Sequence, residues 1–219
     1  MGFVGTWWNV LRHPSTTMAG EKKNASYGKA ILNLVLPLTL IFVLVAIVGF
    51  TVFAMLKPSL GQYGAMLGPM LGAAGLVILA VAFVAIAVIL VIASFLSNIL
   101  YLAAAKVFGG TGEYKTQFYL LSLAFAASFT GFIMLMVVAV LFMLVSPILM
   151  LLWLLLFIVF VLYTVYLDIV ALREAHAVST AKALGIFIIA SIVAWIISFM
   201  LNFSALTSSV LPKTPPVSP

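Results

Sequence analysis

Apolar residues run through this chain in blocks too long for strands and too continuous for the buried stripe of a soluble helix. The first, ILNLVLPLTLIFVLVAIVGFTVFAML, covers residues 31–56. A helix needs about 20 apolar residues to cross a hydrocarbon layer about 30 Å thick. This block therefore predicts one span, with Pro37 in its first two turns, where a kink is tolerated. No charged residue occurs between Pro58 and Ala105. The first part of that run holds Gly61, Gly64, Gly68, Gly72 and Gly75, with Pro69 among them; the second, Leu76 to Val107, is apolar without a turn signal. One long tilted helix is expected, preceded by a glycine-rich segment at the interface or packed on a neighbour. Thr116 to Leu167 is again free of charge. The Ser146–Pro147 pair breaks it into two spans joined by a tight connection. Residues 183–203 make the last span. The closing PKTPPVSP is proline-rich and expected to be disordered. The prediction is an all-α polytopic membrane protein: a segment over 1–30, five spans within 31–205 and a tail over 206–219.

The charges between the blocks test that count. With the N-terminus in the cytoplasm, the inner segments hold Arg12, Lys22, Lys23, Lys29, Lys106, Lys115, Arg173 and Lys182, and the outer ones only Lys57 and Lys213. That bias is what the positive-inside rule asks for. Splitting the 58–105 run into two spans would divide the cations evenly. Charge thus favours five spans, with the C-terminus outside.

Composition agrees. Hydrophobic residues make up 66% of the 219 residues and charged residues 6%, against about 25% charged in a soluble domain. Mean hydropathy is +1.38. Most of the surface must face lipid. The absence of cysteine excludes disulfides, thiolate metal sites and cysteine nucleophiles. The net charge of +6 points to anionic lipid headgroups rather than nucleic acid. The first thirty residues lack the continuous apolar region of a signal peptide. MGFVGT matches the short myristoylation pattern, although a spanning protein gains little from one acyl chain.

Several stretches invite a chemical reading. KVFGGTGEYKT, residues 106–116, puts three glycines ahead of a lysine and a threonine. A P-loop would need glycine where Tyr114 stands, and the dinucleotide fingerprint would need it at Lys115. The stretch reads instead as a turn in which Gly109, Gly110 and Gly112 permit positive φ. GTWWNVLRHPS places Phe3, Trp7, Val10 and Leu11 on one helical face flanked by Trp8 and Arg12. This suggests an interfacial helix with its indoles at headgroup level. Gly64, Gly68 and Gly72 form a small-x-x-x-small ladder suited to close helix packing.

Polar residues near the spans are few. Ser94, Ser97, Asn98 and Tyr101 lie within two turns, and Ser94 and Asn98 share a face. In lipid such a face must turn inward, to clasp another helix or line a solute path. Asp168 is expected at the interface, ion-paired to Arg173 or Lys106. His176, Ser179 and Lys182 echo the S-x-x-K of penicillin-interacting enzymes, but S-D-N and K-T-G are missing. Ser179 reads as a cap on the last span. No complete set of catalytic roles can be filled, and neither an enzyme nor a cofactor is expected.

The W-x-x-V-L-x-H-P opening, FGGTGEYKTQFYLLSLAFA from Phe108 to Ala126 and REAHAVSTAKAL from Arg173 to Leu184 together resemble the Yip domain family of integral membrane proteins. The most specific pieces are Gly109–Gly110–x–Gly112–x–Tyr114 and the His176–x–x–Ser179–x–x–Lys182 run. The resemblance implies a non-enzymatic membrane-organising or protein-interaction scaffold, homo-oligomeric or bound to another membrane protein. Eukaryotic members reside in the Golgi and endoplasmic reticulum and bind small GTPases through a long N-terminal region. Only about thirty residues precede the first span here, which matches the short prokaryotic form, so a GTPase partner is not expected. The expected location is a prokaryotic cell membrane. The alternative is a small permease, channel or lipid-handling transporter using Ser94, Asn98, Tyr101 and Asp168.

Overall fold

The computed structural model describes residues 2–63, 72, 75–146 and 148–210, with side chains described as far as residue 200. Among these the chain is helical and has no strands. Two short helices, α1 (Phe3–Arg12) and α2 (Pro14–Glu21), precede five long ones. These are α3 (Tyr27–Leu56), α4 (Gly75–Val107), α5 (Tyr114–Val145), α6 (Leu149–His176) and α7 (Thr180–Val210). All five are long and apolar enough to cross a membrane.

Local chemistry explains the boundaries. The Ser26 hydroxyl accepts the Lys29 amide at 3.2 Å and starts α3. α5 ends at Val145 as Ser146 turns extended. Pro147 itself lies outside the described residues. α7 starts at Thr180, before the expected 183, and continues to Val210, past the expected end at 203. The remaining tail is outside the description. So are Gly64 and Gly68 of the predicted ladder. At Gly72 an added Cβ would meet no atom within 4 Å, so no close approach within the chain requires glycine there.

The bundle has two unlike halves. Its buried residues fall where α3 begins, α4 ends, α5 begins, α6 ends and α7 begins: Ala30 and Leu34, Ala104 and Ala105, Phe118 to Ala127, Leu167 to Ala175, and Ala183 to Ala190. All of these lie at one end. α5 is its axis, packed by α1, α3, α4 and α6. In the opposite half the same helices turn their side chains outward; none of the most apolar stretch of α4, α5 or α6 is buried. The lengths fit this division. A helix of 32 residues, such as α5, is about 48 Å long at about 1.5 Å per residue. That exceeds the hydrocarbon by well over one helical turn. Thus the packed end can stand at or beyond the lipid headgroups while the loose halves lie in lipid.

The N-terminal helices belong to the packed end, which corrects the expectation of indoles at headgroup level. Trp7 and Val10 are fully buried. The Trp7 Nε1–H donates to Asn33 Oδ1 at 3.0 Å on α3. Two tyrosines hold the rest of the segment: Tyr163 donates to the Leu11 carbonyl at 2.5 Å, and Tyr119 to Glu21 Oε2 at 2.7 Å. Only Trp8 stays at the edge, under the Arg12 guanidinium at 4.6 Å. Of the expected face, Trp7 and Val10 meet protein, Leu11 is half-buried and Phe3 stays exposed; the buried indole N–H has its acceptor in Asn33.

Trp7→Phe keeps most of the packing and strands the Asn33 carbonyl. It is expected to lower stability in detergent by about 1–3 kcal/mol and to open α1 to limited proteolysis. Thermal unfolding and peptide mapping check both, with Trp8→Phe expected to be near neutral.

Candidate functional site

The polar interior begins with a relay across three helices. Asn98 Nδ2 on α4 donates to the Ser94 carbonyl at 2.8 Å. Gln117 on α5 donates from Nε2 to the Asn98 carbonyl at 2.7 Å and to Asn98 Oδ1 at 3.0 Å. Its amide nitrogen thus committed, Gln117 leaves Oε1 as an acceptor. His176 Nε2 on α6 lies 2.7 Å from it, so the imidazole carries its proton on Nε2. Asn98, Gln117 and His176 are all buried. Gln117 was not among the expected site residues; a lone Gln in the first turns of a span, facing Asn98, was the available signal.

The glycine loop closes over this relay. Gly109 has φ +79 and makes the turn that its residue type predicts. Gly110 and Gly112 do not adopt positive φ, which corrects the reading of all three as turn formers. They are glycine because neighbouring atoms leave no room for a Cβ. A Cβ at Gly110 would sit 3.0 Å from both the Ala105 carbonyl oxygen and His176 Cβ; one at Gly112 would sit 2.2 Å from the Ala175 carbonyl oxygen. The Thr111 amide donates to the His176 carbonyl at 3.3 Å. Lys106 Nζ donates to the Gly110 carbonyl at 3.3 Å and to that of Gly112 at 3.2 Å. Tyr114 donates to the Phe95 carbonyl at 2.9 Å and fixes α5 on α4. The turn and the His176 segment, distant in sequence, thus form one unit. Ser179 and Lys182 lie outside it, exposed: Ser179 Oγ accepts the Lys182 amide at 3.4 Å, a cap at the start of α7.

Below the relay lies a cavity of about 300 Å³ that gathers Ser94, Asn98, Tyr101 and Asp168 with Ser97, Ser122 and the apolar walls Leu34, Phe118 and Phe125. Asp168 is not paired to Arg173 or Lys106. Arg173 pairs with Glu174 at 2.5 Å, and Lys106 is taken by the glycine loop. The reason is helical geometry. Five residues turn a helix by about 140° beyond a full turn, so Asp168 and Arg173 point to different faces. Asp168 faces inward and also lines a second cavity of about 280 Å³ with Ser128, Phe129 and Thr164. Among the described residues no group of three His, Asp or Glu could hold a metal.

Five apolar spans around a polar interior define a helical integral membrane protein. A model of the Yip1 domain matches residues 8–202, and the chain belongs to that family. No curated protein and no solved structure matches the chain. The matched range takes in the glycine loop and the His176 segment that the fold brings together.

Gly112→Ala forces a methyl into the Ala175 carbonyl. It is expected to cost about 3 kcal/mol or more, at the upper end for overpacking, whereas Gly49→Ala, whose Cβ meets no atom within 4 Å, is expected to be neutral or mildly stabilising. Unfolding of the two variants side by side checks this.

Proposed function

We propose that this Yip1-domain protein is a non-enzymatic membrane-organising scaffold that works as an oligomer, with its packed, cation-bearing end in the cytoplasm of a prokaryotic cell. One observation carries the reading: among the described residues the fully buried side chains gather at one end, and the most apolar stretches of α4, α5 and α6 hold none. Faces such as Val77, Ile78 and Ile86 on α4 and Leu154, Leu155 and Val159 on α6 are free for lipid or for another copy. The polar interior supports the same reading. Asn98, Gln117 and His176 hold one another and the loop backbone, which is a structural use of polar groups. Basic residues at the packed end suit anionic headgroups.

A second reading, a small permease, is favoured by the Asp168 cavity alone. Reconstitution at low protein-to-lipid ratio distinguishes the two. The scaffold reading expects crosslinked oligomers and vesicles as tight to small solutes as protein-free ones. Monomers accompanied by a flux that Asp168→Ala abolishes would overturn it.

A further inference from the structure

We infer that the cavity between α4, α5 and α6 binds a primary ammonium group, with the Asp168 carboxylate as its counter-ion. The inference does not depend on the scaffold reading, since binding here requires no transport. Three polar side chains of this cavity make no hydrogen bond: Asp168, Ser94 and Ser97. Elsewhere in the packed end two buried nitrogens, Asn33 Nδ2 and His176 Nδ1, also lack a partner, but each belongs to a side chain whose other polar atom is bonded. Asn98 and Gln117 are satisfied by the relay, and Ser122 donates to the Tyr119 carbonyl at 2.7 Å. A carboxylate turned into the protein with neither an ion pair nor a donor carries an unmet electrostatic demand. Among the described residues no cation meets it, and Arg173 and Lys106 are engaged elsewhere.

The lining selects the kind of cation. One carboxylate and two free hydroxyls supply acceptors for the three N–H donors of an ammonium group. Phe118 and Tyr101 add aromatic lining to the cavity. Leu34, Leu90, Leu121 and Phe125 form walls that suit a short carbon chain and would leave the water shell of an alkali ion unsupported. A cavity of about 300 Å³ has room for a molecule of a few heavy atoms with some water, at about 30 Å³ for each water. Depth fits as well. About 20 residues of hydrocarbon counted from Leu149, where α6 begins, reach Asp168. The carboxylate therefore sits at the headgroup boundary, where an ammonium can arrive either as a free amine or on an aminophospholipid.

The test uses the full chain in nanodiscs of phosphatidylcholine, with ethanolamine or sodium chloride added, and separately in nanodiscs that include phosphatidylethanolamine. Ethanolamine at about 100 times its dissociation constant should raise the wild-type unfolding midpoint by about 5 °C. Phosphatidylethanolamine alone doing so would assign the same chemistry to the lipid. In either case Asp168→Asn, which keeps shape and removes charge, should fold with an undiminished midpoint and lose the response. Ser97→Ala should weaken the response about tenfold and keeps the test decisive if the Asp168 variant does not fold. No response to either amine source, an equal response to sodium, or a response that survives both substitutions would overturn the inference.

Discussion

Gly112 lies against the Ala175 carbonyl, and Gly110 against the His176 side chain, so closely that neither has room for a Cβ, and the rest of the packed end is arranged around that contact. It holds the turn between α4 and α5 onto the end of α6. It presents His176 to Gln117, and through Gln117 fixes the register of α5 against Asn98 on α4. Lys106 adds a charge-assisted clamp across the loop carbonyls. Backbone proximity is a demanding way to join helices, because it works only with glycine and only if every amide and carbonyl nearby finds a partner. Here Thr111 and Lys106 supply those partners.

That contact explains the division of labour along the spans. In lipid there is no hydrophobic drive for one apolar helix to seek another, so association relies on close packing and hydrogen bonds. Both are concentrated where α3 and α5 begin and α4 and α6 end. The remaining halves carry aliphatic residues and few polar groups, and nothing forces them together. Local pairs persist there, such as the Trp153 indole donating to the Leu135 carbonyl at 3.0 Å and the Phe42 and Phe83 rings at 4.8 Å. A rigid end and a permissive end in one chain suit a protein whose apolar faces are to be used by lipid or by further copies.

Much of this was legible in the sequence. Charge-free blocks gave the five helices, because lipid tolerates almost no unpaired charge and helix length is set by the bilayer. Both motif segments were picked out, as was the inward face of Ser94, Asn98 and Tyr101. The roles inside them were not. Gly110 and Gly112 looked like turn residues because residue type reports conformational freedom and is silent on a neighbouring backbone. Trp7 looked interfacial because an amphipathic helix does not say whether its face meets lipid or protein. Asp168 looked ion-paired because five residues separate it from Arg173, and sequence distance concealed that the two lie on different faces. Gln117 passed unnoticed because its significance rests on partners 19 and 59 positions away.

The Gln117–His176 link is the joint between α5 and α6. A double-mutant cycle with Gln117→Leu and His176→Leu, read by reversible unfolding in detergent, tests it directly. A coupling energy of about 1–3 kcal/mol is predicted, as for residues sharing one buried network. Two substitutions whose effects add to within about 0.5 kcal/mol would mean that the residues act independently, and the joint would have to be sought elsewhere.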